Sequence, residues 1–117
     1  MTPLLIAVAG GLGAATRLVV DGLVRHRTTS TFPWATILIN VTGSFLLGLL
    51  IGSGVGTRWS DVVGTGFLGG YTTFSAASLE TAGLLLDRRP LAAAVNALGV
   101  LVVCVAVASV GYAVGQL

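Results

Sequence analysis

Apolar residues occur along the chain in four long blocks, which three short polar stretches separate. The blocks cover about residues 4–24, 34–53, 61–86 and 91–114. Each is near or above the ~20 residues with which an α-helix crosses a bilayer. The pattern therefore predicts an all-α membrane protein with four transmembrane helices, in a single domain of residues 1–117.

Composition supports this class. The 117 residues are 55% hydrophobic and only 9% charged, whereas about a quarter of the residues of soluble domains are charged. The first charged residue, Arg17, follows the first apolar block instead of preceding it, so that block is interpreted as a retained span and not as a signal peptide. A net charge of +2 does not indicate a nucleic-acid partner. The expected surrounding is a lipid bilayer.

The arginines predict an orientation. The first and third connections carry Arg25, Arg27, Arg88 and Arg89, and the second carries Arg58 alone. Cytoplasmic loops of membrane proteins are enriched in arginine and lysine. We therefore expect the first and third connections in the cytoplasm and both termini outside.

The third block is a poor helix at its centre. Gly64, Gly66, Gly69 and Gly70 each cost about 1 kcal/mol relative to alanine in a helix interior, and the hydroxyl-rich run 71–75 follows them. Non-helical backbone is tolerated at membrane depth only where protein or a water-filled cavity satisfies its polar groups. The block therefore predicts a helix broken in mid-membrane and an ion or substrate site at the break.

Two further polar side chains fall within apolar blocks. Arg17 lies four residues before Asp21, where the two can pair; it either extends toward the nearby connection or lines the entry of an anion. Asn40 either joins two helices or offers its amide N–H groups to a permeating anion. The hydroxyls of Thr72, Thr73 and Ser75 and the ring edge of Phe74 also suit an anion.

Enzyme functions are not supported. The segment Gly64-x-Gly-x-x-Gly69 matches a dinucleotide-binding fingerprint, but it lies inside an apolar segment with no strand before it. Ser75 and Ser78 have no base beside them, since the single histidine lies in a connection. A nucleophile, a base and a pocket cannot be assembled from this chain.

Three motifs give a resemblance to a known family. They are Gly13-Ala-x-x-Arg17, Thr36-x-x-x-Asn40-x-x-Gly-Ser-Phe45, and Gly69-Gly-x-Thr-Thr-Phe-Ser75 followed by Glu80. Together they resemble the bacterial fluoride channels of the Fluc/CrcB family over essentially the whole chain. The resemblance implies passive fluoride export across the bacterial plasma membrane through a dual-topology dimer, in which two antiparallel subunits form two pores.

The resemblance also implies roles for individual residues. A structural sodium ion would be held at the dimer centre by the backbone carbonyls of Gly69 and Thr72. Asn40 would be the pore-lining amide, and Phe74 the first of two pore phenylalanines. For Glu80 the resemblance suggests the family's acidic position, and pairing with a neighbouring arginine explains it equally well.

One departure from the family pattern concerns the dimer. The second pore phenylalanine is replaced by Ala77, and the residue before it is Ala76 where the family usually has threonine. The partner is therefore either a second copy of this chain or a paralogous subunit that completes the pore. A non-conducting subunit of a heterodimeric channel is one alternative function. A four-helix proton-coupled drug transporter is another, although its first span offers only Asp21 as a carboxylate.

Overall fold

In the computed structural model, residues 2–27 and 34–117 are described, without the side chains of residues 74–76. This part of the chain is helical and contains no strand. Within the described ranges, three helices are long and apolar enough to span a membrane: Thr2–Arg27, Trp34–Gly52 and Pro90–Gly115. The predictions of an all-α fold and of a multi-pass membrane protein are confirmed at this level.

The first two helices are continuous. Helix α1 covers Thr2–Arg27 and α2 covers Trp34–Gly52. The first block was expected to end near residue 24, and α1 continues for three more residues. Its last turn holds Arg25, His26 and Arg27, and positive side chains at a helix C-terminus interact favourably with the helix dipole.

The third apolar segment is irregular. It begins with α3, Thr57–Trp59, passes into a π-helical stretch, Ser60–Leu68, and continues as α4, Gly69–Tyr71. Thr72 then has extended backbone angles, φ −81° and ψ 160°, and α5 covers Phe74–Leu86. We call residues 57–71 the proximal part, and Thr72 with Thr73 the interruption. The glycines of the proximal part weaken a regular α-helix, and π-turns occur frequently at functional sites.

The last helix follows a tight turn. Arg89 N–H donates to the Leu84 carbonyl and Arg88 N–H to the Leu85 carbonyl, which closes the C-terminus of α5. Arg88 has φ 58°, the left-handed conformation usually given to glycine. After the turn come α6 (Pro90–Ala94), a π-helical stretch (Val95–Gly99) and α7 (Val100–Gly115).

Glycines bring the helices into close contact in two pairs. A Cβ added at Gly13 would overlap the Phe67 carbonyl oxygen, so α1 lies directly against the proximal part. A Cβ at Gly48 would overlap the Ala108 carbonyl oxygen, so α2 lies equally close to α7. Such contacts between backbones are typical of helix association in membranes, where small residues permit close approach.

Most large apolar side chains lie on the outside. Leu18, Leu79 and Leu101 are more than half exposed, whereas Ile39 is 1% exposed at the centre. An apolar exterior is unfavourable in water and favourable against lipid tails. The longest dimension of the molecule, 46 Å, also suits a bilayer, which is about 40–45 Å thick with its headgroups.

These contacts predict different effects for two nearby glycines of α1. Gly13→Ala forces a methyl group against the Phe67 carbonyl and should destabilise the protein by about 1–3 kcal/mol. Gly11 has no atom within 4 Å of an added Cβ, so Gly11→Ala should be neutral or slightly stabilising. Thermal unfolding in detergent measures both, and equal effects would contradict the packing described.

Candidate functional site

The proximal part ends at Tyr71, and Thr72 is the first residue of the interruption. The backbone N–H and the hydroxyl of Thr72 both donate to the Leu68 carbonyl, at 2.9 Å each. Its ψ of 160° then turns the chain out of the helical path. The next peptide group therefore needs hydrogen-bond partners outside its own helix.

Asn40 of α2 supplies those partners. Its Oδ1 accepts a hydrogen bond from Thr73 N–H at 3.0 Å, and its Nδ2 donates to the Thr73 carbonyl at 3.1 Å. The two bonds fix the orientation of the amide, since the reverse orientation would place donor against donor. The second N–H of Nδ2 has no partner among the described residues.

A second pair joins α2 to the residue before the interruption. The Thr42 hydroxyl lies 2.8 Å from the Leu38 carbonyl and 2.9 Å from the Tyr71 hydroxyl. Because the Thr42 proton is used by the carbonyl, Tyr71 is the donor in the contact between the two hydroxyls. Tyr71 is buried, and this bond satisfies its polar end.

A cavity of about 670 Å³ adjoins the interruption. We call it the groove. Its lining includes Asn40, Gly69, Thr72, Thr73 and Ala77. It therefore combines an amide, hydroxyls and backbone on a largely apolar surface.

Asn96 of the last helix also lines the groove. Its Nδ2 donates to the Thr81 hydroxyl at 2.7 Å, and that hydroxyl donates to the Ala77 carbonyl at 2.9 Å. Asn96 is 5% exposed. Its position in a π-helical stretch and its buried amide mark this side of the groove as polar.

An ion-pair network lies at one end of the bundle. Arg25 Nε donates to Asp21 Oδ1 at 2.7 Å, and its Nη2 lies 3.2 Å from Glu80 Oε1. The Thr36 hydroxyl donates to the same Glu80 oxygen at 2.8 Å. Glu80 thus has an arginine partner, which agrees with the interpretation that it pairs with a neighbouring arginine.

Arg17 and Asp21 have a spacing at which they can pair, but they do not pair in the structure. Asp21 pairs with Arg25, and Arg17 Nε is buried with no hydrogen-bond partner within the described ranges. Both arginines lie four residues from Asp21. An acid N-terminal to its base is the better order on a helix, and this order favours Arg25.

The structure brings four of the predicted site residues to the groove: Asn40, Gly69, Thr72 and Thr73. Arg17 is not part of its lining. The side chains of Phe74 and Ser75 lie outside the described part. Sequence reasoning missed the contacts of Thr42 with Tyr71 and of Asn96 with Thr81, although hydroxyl and amide groups within apolar segments signal a need for partners.

Candidate ligands for the expected sodium ion lie on the groove. Nowhere in residues 2–27 and 34–117 do three or more His, Cys, Asp or Glu residues form a group that could hold a metal ion. Backbone carbonyls are therefore the candidate ligands. In a continuous helix, Thr73 N–H would donate to the Gly69 carbonyl, and here it donates to Asn40. The Gly69 carbonyl thus lacks its usual helical donor, which fits the expected role.

Comparisons with known proteins agree with the motifs. Residues 4–112 match the family model described as CrcB-like protein, Camphor Resistance (CrcB). The fluoride-specific ion channel FluC 1 of Leifsonia xyli subsp. xyli is 46% identical over all of this chain and 90% of its own length. FluC 2 of Clostridium acetobutylicum is 37% identical over 96% of this chain and 92% of its own. FluC 2 of Bacillus cereus strain ATCC 10987 is 51% identical over 69% of this chain and 69% of its own length.

Helices and groove define a multi-pass membrane protein with a polar site beside an interrupted helix. The family match covers nearly the whole chain, and the Leifsonia relative aligns with all of it. The chain belongs to the CrcB family. The resemblance inferred from the three motifs is thereby confirmed.

The ion-pair network predicts different effects for two arginines near the end of α1. Arg25→Gln removes the contacts with Asp21 and Glu80 and should lower stability by about 1 kcal/mol, because Arg25 is more than half exposed. The loss should shrink in concentrated salt. Arg27→Gln is the control, since Arg27 forms no ion pair with a described residue. Thermal unfolding at two salt concentrations measures both, and equal losses would argue against the network.

Proposed function

We propose that this chain is a subunit of a fluoride-selective ion channel that lets fluoride leave the bacterial cell passively. The observation that carries the proposal is the Asn40 amide, which lies on the groove with one N–H not used by Thr73. The names of the relatives support fluoride as the ion. No energy source is required, because the flow follows the electrochemical gradient.

The groups assigned to the pathway are hydrogen-bond donors that replace water around a small anion. They are the Asn40 amide, the hydroxyls of Thr73 and Ser75, the positive edge of the Phe74 ring and, at the entry, the Arg17 guanidinium. Arg17 Nε lacks a partner in the part of the chain that is described. A positive group without a fixed counter-ion can attract an anion from solution.

The proposed assembly is an antiparallel dimer with the interruption near mid-membrane. The groove carries the polar groups of Asn40, Thr73 and Asn96 on its lining, and such groups are not tolerated against lipid tails. A second subunit on the groove would cover them. The carbonyls of Gly69 and Thr72 from both subunits would then hold the structural sodium ion, which supplies positive charge at the dimer centre.

The partner is a second copy of this chain or a paralogous subunit. Ala77 lines the groove, in the position of the second pore phenylalanine of the family pattern. The arginines of the first and third connections also favour one orientation. Both observations suit a chain whose partner inserts oppositely and carries the complete motif. A drug transporter is less well supported, since the Asp21 carboxylate is paired with Arg25.

Fluoride efflux from liposomes tests the function. The purified chain, alone or with a paralogue from the same genome, should release trapped fluoride and retain chloride. Flux from the chain alone, with terminal tags on both sides of the membrane, would establish the homodimer. Flux only with the paralogue would establish the heterodimer. Absence of flux in both preparations would refute the channel.

Asn40→Asp tests the pathway. A fixed negative charge beside a permeating anion is strongly unfavourable at low dielectric, so fluoride flux should collapse while the protein still inserts and assembles. Ser109→Ala is the control, because the Ser109 hydroxyl donates only to the Val105 carbonyl of its own helix. Undiminished flux through folded Asn40→Asp protein would remove Asn40 from the pathway.

A further inference from the structure

The backbone N–H of Thr73 has two possible acceptors. In a continuous α-helix it would donate to the Gly69 carbonyl, four residues earlier. In the structure it donates to Asn40 Oδ1 at 3.0 Å, and Asn40 Nδ2 donates back to the Thr73 carbonyl at 3.1 Å. Asn40 therefore competes directly with Gly69 for one proton.

We propose that Asn40 is a positioning residue for the sodium site. By holding Thr73 N–H, it keeps that group away from the Gly69 carbonyl and leaves the carbonyl available to a cation. The inference rests on the sodium ion of the proposed function and assigns to Asn40 a role that is separate from fluoride permeation.

Energetics favour this role. Without Asn40, the N–H and the carbonyl of Thr73 would each lose the hydrogen bond that Asn40 supplies, and such a bond contributes about 0.5–1.5 kcal/mol. The simplest way to recover a bond is to let Thr73 N–H return to Gly69. That hydrogen bond would make the helix continuous and would occupy the Gly69 carbonyl.

Neighbouring residues of α2 hold the other side of the interruption. The Thr42 hydroxyl accepts from Tyr71, and Gly43 leaves room for the Thr72 methyl group, which an added Cβ would overlap. Positions 40, 42 and 43, within one turn of α2, thus contact Thr73, Tyr71 and Thr72 respectively. The backbone at the interruption is shaped by α2 as well as by its own sequence.

The two roles of Asn40 use different atoms. Oδ1 and one N–H of Nδ2 are occupied by Thr73, and the other N–H is left for an anion. Loss of flux in an Asn40 variant does not distinguish the roles. Binding of sodium does, because only the positioning role acts through the Thr73 N–H.

The experiment compares Asn40→Ala with the double variant Asn40→Ala/Thr73→Pro. Proline has no N–H to return to Gly69, and its ring clashes with the carbonyl four residues earlier in a helix. Thr72 already has the ψ of 160° that suits a residue before proline, and alanine at position 40 leaves space for the ring. The proline should therefore leave the Gly69 carbonyl available to a cation, as Asn40 does in the wild-type protein.

The measurement is the thermal midpoint of the assembled protein in detergent as sodium replaces choline. Wild type and the Ser109→Ala control should be stabilised by sodium. Asn40→Ala should need about tenfold more sodium for half of the effect, which corresponds to the loss of one or two hydrogen bonds. The double variant should return to within about threefold of wild type. If Asn40→Ala does not fold, Asn40→Ser takes its place, because serine is too short to reach both groups of Thr73.

The outcomes separate the inference from the function on which it rests. A wild-type protein that carries fluoride but does not respond to sodium refutes the proposed ion itself. A normal sodium response in Asn40→Ala overturns the positioning role alone. A weakened response that the proline does not restore, or a double variant that fails to fold where the single variant folds, also overturns it.

Discussion

Backbone polar groups that leave a helix inside a membrane must find partners elsewhere in the protein. At the interruption, the backbone N–H groups of Thr72 and Thr73 meet this requirement. Leu68 accepts from Thr72, and Asn40 accepts from and donates to Thr73. The helix can therefore be interrupted without leaving the N–H and the carbonyl of Thr73 unsatisfied, and the residue that makes this possible, Asn40, belongs to a different helix.

Close packing of backbones supplies the frame that holds those partners in place. Gly13 brings α1 against the proximal part, and Gly48 brings α2 against α7. In lipid the hydrophobic effect adds little to the association of helices. Close packing and hydrogen bonds must therefore stabilise that association. The frame and the site consequently share α2, which contributes both Gly48 and Asn40.

The sequence predicted the helical segments more accurately than it predicted the contacts between side chains. Four apolar blocks indicate four helical segments because length and hydrophobicity alone decide whether a helix suits a bilayer. The glycines before Tyr71 indicated a weak helix, and the structure has π-turns and an extended Thr72 there. The partner of Asn40 lies 33 residues away along the chain, and spacing carries no information about such a contact. Asp21 had two arginines at equal distance in sequence, and only the contact with Glu80 and the helix geometry show why Arg25 is its partner.

Arg88 has a backbone conformation that favours glycine and a side chain whose charge disfavours transfer across a membrane. Its φ of 58° closes the turn after α5, and glycine in this conformation avoids the roughly 1 kcal/mol that a side chain incurs. Arginine instead leaves a permanent charge between two apolar helices, beside Arg89. Moving this turn across a bilayer during synthesis would require both charges to cross with it. The turn thus combines an unfavourable backbone conformation with two charges that oppose its transfer across a bilayer.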